Sequence, residues 1–121
     1  MKKIDFLKFL RDYSKENLII VEGKKDKKIF AELEISTYAI YEIFKINIYR
    51  FREALILTDR DKKGKKIYRF LYNYLSSEGI TINEKIRNSF FKFFKVTRIE
   101  ELRKDIEKLK YILDYELGKI L

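Results

Sequence analysis

Two short apolar runs restrict the fold of this chain more than any other feature of its sequence. Leu18–Val21 and Ala54–Thr58 consist mainly of aliphatic side chains, and each is too short for an ordinary helix. Continuous apolar runs of this kind are typical of strands buried on both faces of a parallel sheet. Each run stops at an acidic residue, Glu22 after the first and Asp59 after the second. The sequence therefore predicts parallel strands that end on carboxylates.

Amphipathic segments alternate with these runs and predict helices over residues 5–16, 26–33, 62–78 and 98–117. Gly79 directly follows the third of these segments and is a natural helix terminator. Thr97 and Glu100 have the spacing of a capping box, which marks the start of the last helix. Strands that alternate with helices predict an α/β fold in which a parallel sheet carries helices on both faces.

The remaining segments are less regular. Tyr38–Ile43 is predicted to be a strand, 47–53 a short helix, and a short strand is predicted between 80 and 96. The aromatic run Phe90–Phe94 has two interpretations, base stacking or core packing, and core packing is favoured in so small a domain. The nine tyrosines lie mainly at apolar periodic positions, which predicts that most of them also pack in the core.

Length and composition predict one domain over residues 1–121. Aromatic residues make up 16% of the chain, which excludes a disordered basic tail. No apolar stretch is long enough to span a bilayer, and the charged start does not resemble a secretory signal, so a cytoplasmic protein without a membrane partner is expected. Abundant Lys and Glu and the absence of Gln favour a thermophilic source.

The chain has no Cys and no His, and these absences restrict its chemistry. Thiol nucleophiles, disulfides, zinc sites of the usual kind and Ser-His-Asp triads are all excluded. Any metal must be bound through oxygen atoms, which suits Mg²⁺, Mn²⁺ or Ca²⁺.

Three carboxylates are predicted to meet at one edge of the sheet. Glu22 follows one strand, and Asp59 and Asp61 follow the other, so parallel strands bring all three to the edge where ligands bind. Their mutual repulsion would be relieved by a divalent cation, for which Mg²⁺ is the expected choice and Mn²⁺ the alternative. Taken singly, Asp61 could instead cap the helix that starts at Lys62, and Glu22 could be a solvated strand end.

Positive charge is concentrated beside these acids. Residues 22–28 and 59–69 together carry +6 of the formal net charge of +9. Phosphate groups that bridge a metal ion and nearby Lys or Arg side chains would explain why acidic and basic residues occur together here. The alternative is that the lysines only solvate the outer faces of helices.

Two motifs resemble the paired motifs of the Toprim domain: Glu22-Gly23-x-x-Asp26 after the first run and Asp59-x-Asp61-x-x-Gly64 after the second. That domain is shared by topoisomerases, bacterial primases, OLD-type nucleases, recombination-repair proteins and ribosomal-RNA maturation nucleases. The resemblance covers about residues 18–102 and is greatest to the small stand-alone proteins, close to the ribosomal-RNA maturation nucleases. It implies a Rossmann-like three-layer sandwich, in which a parallel sheet of about four strands is flanked by helices. It also implies Glu22 as general acid/base or metal ligand and Asp59 and Asp61 as Mg²⁺ ligands.

The sequence departs from the topoisomerase pattern at Lys63, where a further acidic residue often stands, so a second metal ion is not expected there. The chain is also too short to be a topoisomerase or a complete primase.

The leading hypothesis is therefore a Mg²⁺-dependent Toprim protein, a nuclease or phosphotransferase acting on RNA or DNA phosphodiesters. Glu22, Asp59 and Asp61 are its predicted catalytic and metal-binding residues, and Gly23, Asp26 and Gly64 support them. Phosphates are predicted to contact a set of basic residues, Lys24, Lys25, Arg60, Lys62, Lys63 and Lys65. Two alternatives remain: a non-catalytic nucleic-acid-binding module whose protein partner supplies other domains, and a scaffold that binds a small phosphorylated ligand or a protein.

Overall fold

Four parallel strands form the centre of the protein in a computed structural model that describes residues 2–116. The strands are β1 (Leu18–Val21), β2 (Tyr38–Ala39), β3 (Glu53–Ile56) and β4 (Thr81–Ile82). The helices are α1 (Lys3–Glu16), α2 (Lys24–Glu32), α3 (Lys62–Ser77), α4 (Glu84–Phe94) and α5 (Ile106–Glu116). The α/β class and the four-stranded parallel sheet predicted from the sequence are confirmed.

The strand order is β2-β1-β3-β4, so β1 and β3 are neighbours at the centre of the sheet. Glu22 directly follows β1, whereas β3 ends at Ile56, two residues before the end of the predicted run and three before Asp59. Every pairing is parallel, and Ile19 lies opposite Leu55 in the β1–β3 register. The chain leaves β1 toward one edge of the sheet and β3 toward the other, which creates a topological switch point between their carboxyl ends. Ligands of open parallel sheets bind at such a point, so the residues that follow β1 and β3 are the first candidates for a functional site.

Helices cover both faces of the sheet because the central strands are apolar on both sides. Side chains alternate between the faces, so Ile19 and Leu55 pack with α1, α2, α4 and α5 on one face. Leu18 and Ile56 pack on the other face with α3, whose Leu71 is fully buried there. The sheet is thus the middle layer of the three-layer sandwich that was predicted.

The prediction of a strand over Tyr38–Ile43 is wrong beyond Ala39, where β2 ends. Ile40–Glu42 forms a 3-10 turn instead. Glu42 Oε1 accepts a hydrogen bond from the Ala39 amide at 3.0 Å and contacts Lys27 Nζ at 2.6 Å. The segment therefore satisfies its polar groups locally, and the strand ends after two residues.

The helix predicted over 47–53 is a single 3-10 turn, Ile48–Arg50, and Glu53 already belongs to β3. Asn47 caps this turn, since its side chain accepts a hydrogen bond from the Tyr49 amide at 3.1 Å. The helix predicted to begin at residue 26 begins two residues earlier, at the start of α2. The helices predicted over 5–16 and 62–78 match α1 and α3 closely.

The last helix begins differently from the prediction. The predicted capping residues are Thr97 and Glu100, but it is Glu101 whose side chain accepts a hydrogen bond from the Arg98 amide, at 3.0 Å. A 3-10 helix, Ile99–Asp105, then precedes α5. The predicted end of this helix at residue 117 lies outside the described residues.

Core packing explains the aromatic run but not the tyrosines. Phe90, Phe91 and Phe94 lie on α4 and are buried, which confirms the core interpretation for them. Of the nine tyrosines only Tyr13 is buried, so the prediction that most would be buried is wrong. The apolar stripe on a helix is wide, and aromatic rings at its margins remain in contact with solvent.

Within residues 2–116, no helix is both long enough and apolar enough to cross a membrane.

Candidate metal centre

Three carboxylates meet at the carboxyl ends of β1 and β3. Glu22 directly follows β1, and Asp59 and Asp61 lie in the connection from β3 to α3. One oxygen atom of each side chain lies within 4.8 Å of the corresponding atoms of the other two. All three side chains are partly exposed, so a ligand can reach them from solvent. The structure therefore brings together the three residues that the sequence singled out.

Two hydrogen bonds fix the carboxylates that follow the strands. Glu22 Oε1 accepts from the Asp59 amide at 2.9 Å, which ties the end of β1 to the end of β3. Asp59 Oδ1 accepts from the Ile99 amide at 2.8 Å, which ties the same place to the 3-10 helix. Each bond uses one oxygen atom of its carboxylate, so the acids are oriented by the backbone that surrounds them.

Asp61 fulfils the capping role that was the alternative to metal binding, and it also lies within the acidic cluster. Its Oδ1 accepts a hydrogen bond from the Gly64 amide at 2.8 Å and so caps the first turn of α3. Its Oδ2 lies 3.2 Å from Arg98 Nε. The two interpretations are therefore compatible, and Arg98 is a cation that already neutralises part of the cluster.

Gly64 allows α3 to start close to the acids. A Cβ atom at this position would overlap the carbonyl oxygen of Asp59 and would lie 2.8 Å from Glu22 Oε1. The carbonyl of Gly64 also accepts a hydrogen bond from Thr58 Oγ1 at 3.0 Å. By contrast, a Cβ atom on Gly23 would meet no atom within 4 Å. Gly64 is thus required by contacts inside the protein, whereas the space beside Gly23 is open.

A buried arginine supports the cluster from beneath. Arg87 on α4 is 7% exposed, and its Nη1 donates to the carbonyl oxygens of Ile56 and Thr58, both at 2.8 Å. Its guanidinium group also lies over the rings of Tyr68 and Phe91. Burial lowers the pKa of Arg87 to about 10, so it stays charged at neutral pH. Its positive charge therefore lies close enough to Asp59 and Glu22 to interact with both carboxylates.

An open cleft of about 350 Å³ is lined by Glu22 and Asp59, but not by Asp61, and has both acidic and basic walls. The residues that line it are Glu22, Gly23, Lys24, Lys25, Asp26, Asp59, Lys63 and Glu100. Three of the six predicted phosphate contacts, Lys24, Lys25 and Lys63, are among them. Positive side chains therefore border the acids on the side open to solvent.

The other three predicted phosphate contacts lie farther out. Lys62 and Lys65 are exposed on the first turn of α3 and do not line the cleft. Arg60 is exposed too, and its guanidinium group lies 5.6 Å from the ring centroid of Phe91. These cations surround the cleft rather than form its wall.

Arg87, Arg98 and Glu100 belong to the site but were not identified from the sequence. The sequence pattern marks Glu100 only as a capping residue, and no local pattern places it beside the acids. All three lie on segments whose position depends on long-range contacts, such as the bond between Asp59 and Ile99, which are 40 residues apart. The only available signal was the predicted start of a helix near residue 97.

Burial and mutual repulsion oppose ionisation of the acids. Partial burial raises the pKa of Glu22, and the charges of Asp59 and Asp61 raise it further. Burial also raises the pKa of Asp59. Asp26, on the first turn of α2, is affected most: burial, followed by the charges of Asp59, Glu22 and Glu100, raises its pKa to about 6. A bound cation would relieve this electrostatic strain.

Comparisons with known proteins place the chain in a family. It is 31% identical over 100 residues to a UPF0292 protein of Methanocaldococcus jannaschii, which covers 74% of this chain and 77% of that protein. The chain belongs to the UPF0292 family. A UPF0292 protein of Thermoplasma volcanium is 30% identical over 112 residues, covering 82% of this chain and 92% of that protein. These UPF0292 relatives come from thermophilic archaea, in keeping with the expected source.

A solved structure of a protein from Aquifex aeolicus has the same fold. It superimposes with a TM-score of 0.74 at 28% sequence identity and covers 83% of this chain and 97% of its own chain. No family model matches the chain.

The substitution Gly64→Ala should destabilise the protein by about 1–3 kcal/mol, because the new methyl group forces α3 away from the Asp59 carbonyl. Urea denaturation measures this change. Gly23→Ala is the matched control and should leave the free energy of unfolding nearly unchanged, since open space surrounds it. Equal effects of the two substitutions would contradict the close packing at Gly64.

In the absence of divalent cations, the free energy of unfolding should fall as the pH rises from about 4 to about 6. Folded Asp26 has a pKa of about 6, and an unfolded Asp titrates near 3.8, so the folded state holds more protons in this range. Stability that is present below the unfolded pKa is therefore lost as the carboxyl ionises. Denaturation across this range should show that Asp26→Asn reduces the slope of the free energy of unfolding against pH. An unchanged slope for Asp26→Asn would refute the raised pKa of Asp26.

Proposed function

We propose that this chain is a Mg²⁺-dependent protein of the Toprim type that acts on nucleic-acid phosphodiesters by nuclease-like cleavage. One observation carries the proposal. One oxygen atom from each of three carboxylates lies within 4.8 Å of the others at the switch point of a parallel sheet, and three lysines line the cleft that Glu22 and Asp59 also line. Neighbouring acids and cations of this kind fit a phosphate group held between a metal ion and basic side chains.

The donor set suits a hard divalent cation. Glu22, Asp59 and Asp61 offer only carboxylate oxygens, which Mg²⁺ prefers and Mn²⁺ also accepts. The raised pKa values of Glu22 and Asp59 support this assignment, because crowded carboxylates gain from a nearby positive charge. When bound, the ion would supply Lewis-acid polarisation of a phosphoryl oxygen.

The basic residues have roles that follow from where they lie. Lys24, Lys25 and Lys63 line the cleft and would contact the phosphates on either side of the scissile bond. Arg60, Lys62 and Lys65 surround it and would attract the polyanion from a distance. The nucleic acid would thus lie across the carboxyl ends of β1 and β3.

Glu22 is the residue best suited to proton transfer. Its Oε1 is held by the Asp59 amide, and its pKa is raised by burial toward the range that favours a general base. In hydrolysis, the oxygen of a water molecule bonds to phosphorus, and the bond from phosphorus to the departing sugar oxygen breaks. The proton lost by the water passes to Glu22, and the departing oxygen gains a proton from solvent.

A cleavage assay tests this function. Purified protein incubated with Mg²⁺ and labelled single- and double-stranded RNA and DNA, at elevated temperature, should cut at least one of these substrates. Asp59→Asn and Asp61→Asn should abolish cleavage, and Glu22→Gln should slow it by about 100-fold or more, since general acid–base groups contribute on this scale.

Asp12→Asn, at an exposed position on α1, is the matched control and should cleave at the wild-type rate. Cleavage that persists in Asp59→Asn, or that needs no divalent ion, would refute the proposal. Nucleic-acid binding with every substrate left intact would instead favour the non-catalytic binding module.

A further inference from the structure

A stripe of cations and aromatic rings runs along α3 from the acidic cleft. Lys63, Lys66, Phe70 and Tyr74 follow one another at spacings of three or four residues, so they share one flank of the helix. Lys63 lines the cleft and is the first member of the series. Phe44 extends the series at the far end, where its ring centroid lies 5.3 Å from that of Tyr74. These five residues are called the α3 stripe below.

Two of the three rings of the α3 stripe are exposed, and the third, Tyr74, is half-buried between them. Phe44 is 64% and Phe70 is 54% accessible to solvent. The rings of Phe70 and Tyr74 are almost parallel, with an interplanar angle of 4° and centroids 6.3 Å apart. Single exposed apolar side chains are common on protein surfaces, but a contiguous row of three rings marks a binding surface.

The charge around these rings restricts what can bind there. The helix α3 contains five Lys and Arg residues and no acidic residue. The first carboxylate after it, Glu78, accepts a hydrogen bond from the Tyr49 hydroxyl at 2.7 Å. A ligand of the α3 stripe must therefore carry negative charge and present flat apolar faces. Single-stranded nucleic acid has both properties, since its phosphates are anionic and its unpaired bases can stack on aromatic rings.

We propose that the α3 stripe binds a single-stranded segment of the nucleic acid whose phosphodiester lies in the cleft. This inference rests on the proposed function and adds the substrate class. Phosphates contact Lys63 and Lys66, and successive unpaired bases stack on Phe70 and Phe44. From Lys63 to Tyr74 the helix rises about 16 Å, so the track extends well beyond the cleft. Bases in a duplex are already stacked on one another and cannot use these rings.

A second copy of this chain is a less suitable occupant. A two-fold symmetric dimer through this surface would place the Lys63 and Lys66 side chains of each copy against the same positive surface of the other. The chain has a net charge of +9, so the pairing would be opposed by long-range repulsion as well. A polyanion is favoured by the same charges.

Fluorescence anisotropy with labelled oligonucleotides tests the α3 stripe, and a chelator in the buffer keeps the substrate intact. Phe70→Ala and Phe44→Ala should each weaken binding of a single-stranded oligonucleotide about 10-fold. Binding of a blunt duplex should not change. Tyr111→Ala is the matched control, because this tyrosine is 60% exposed on α5, away from the α3 stripe, and its loss should change neither affinity.

A second variant reports on the charge of the α3 stripe. Lys66→Gln should weaken single-strand binding and should reduce the slope of log affinity against log salt concentration by about 0.7, the contribution of one phosphate contact. Unchanged single-strand affinity in both Phe variants overturns the inference, as does an equal loss in Tyr111→Ala. A dimer in sedimentation that Phe70→Ala dissociates also overturns it.

The outcomes separate this inference from the proposed function. If the Phe variants bind normally while cleavage by the wild type needs Mg²⁺ and Asp59, the α3 stripe is refuted and the nuclease function stands. If the Phe variants lose single-strand binding but no substrate is ever cleaved, the nuclease function is refuted and the binding track stands.

Discussion

The hydrogen bond from the Asp59 amide to Glu22 Oε1, at 2.9 Å, joins residues that lie 37 positions apart in the chain. It can form because β1 and β3 are parallel neighbours in register, with Ile20 opposite Ile56, so both strands end at the same level. Gly64 completes the arrangement, since only a residue without a side chain lets α3 start against the Asp59 carbonyl. The acidic cluster, the cleft and the start of α3 all depend on this one junction between the central strands.

Charges of both signs lie at this junction. Burial and mutual repulsion raise the pKa values of Glu22 and Asp59, which means that the folded protein holds these carboxylates against an opposing free energy. Arg87 behind the cluster and Arg98 beside Asp61 offset part of that repulsion. A divalent cation would offset more of it, so ion binding and full ionisation of the acids are coupled. A bound cation would therefore explain why acidic and basic residues lie close together in a protein that is strongly basic as a whole.

The features of the fold and of the site that could be predicted from the sequence are those encoded by consecutive residues. The apolar runs that contain β1 and β3 indicate directly that both strands are buried. Glu22 and Asp59 are the residues at which these runs stop, so their positions could be predicted as well. Arg87 could not be found this way, because its partner Thr58 lies 29 residues away and the packing of α4 brings them together. The turn after β2 was missed for a different reason: a single side chain, that of Glu42, bonds to the local backbone and ends the strand. No periodicity reports a bond of that kind.

We propose that the carboxylates at the β1–β3 junction form one divalent-cation site. Calorimetric titration of Mg²⁺ into the wild type and into the Asp59→Asn/Asp61→Asn double variant tests it most directly. Saturable binding by the wild type, competition by Mn²⁺, and loss of binding in the double variant are expected. Binding that is equal in the two proteins, or no binding by the wild type at millimolar Mg²⁺, would contradict it.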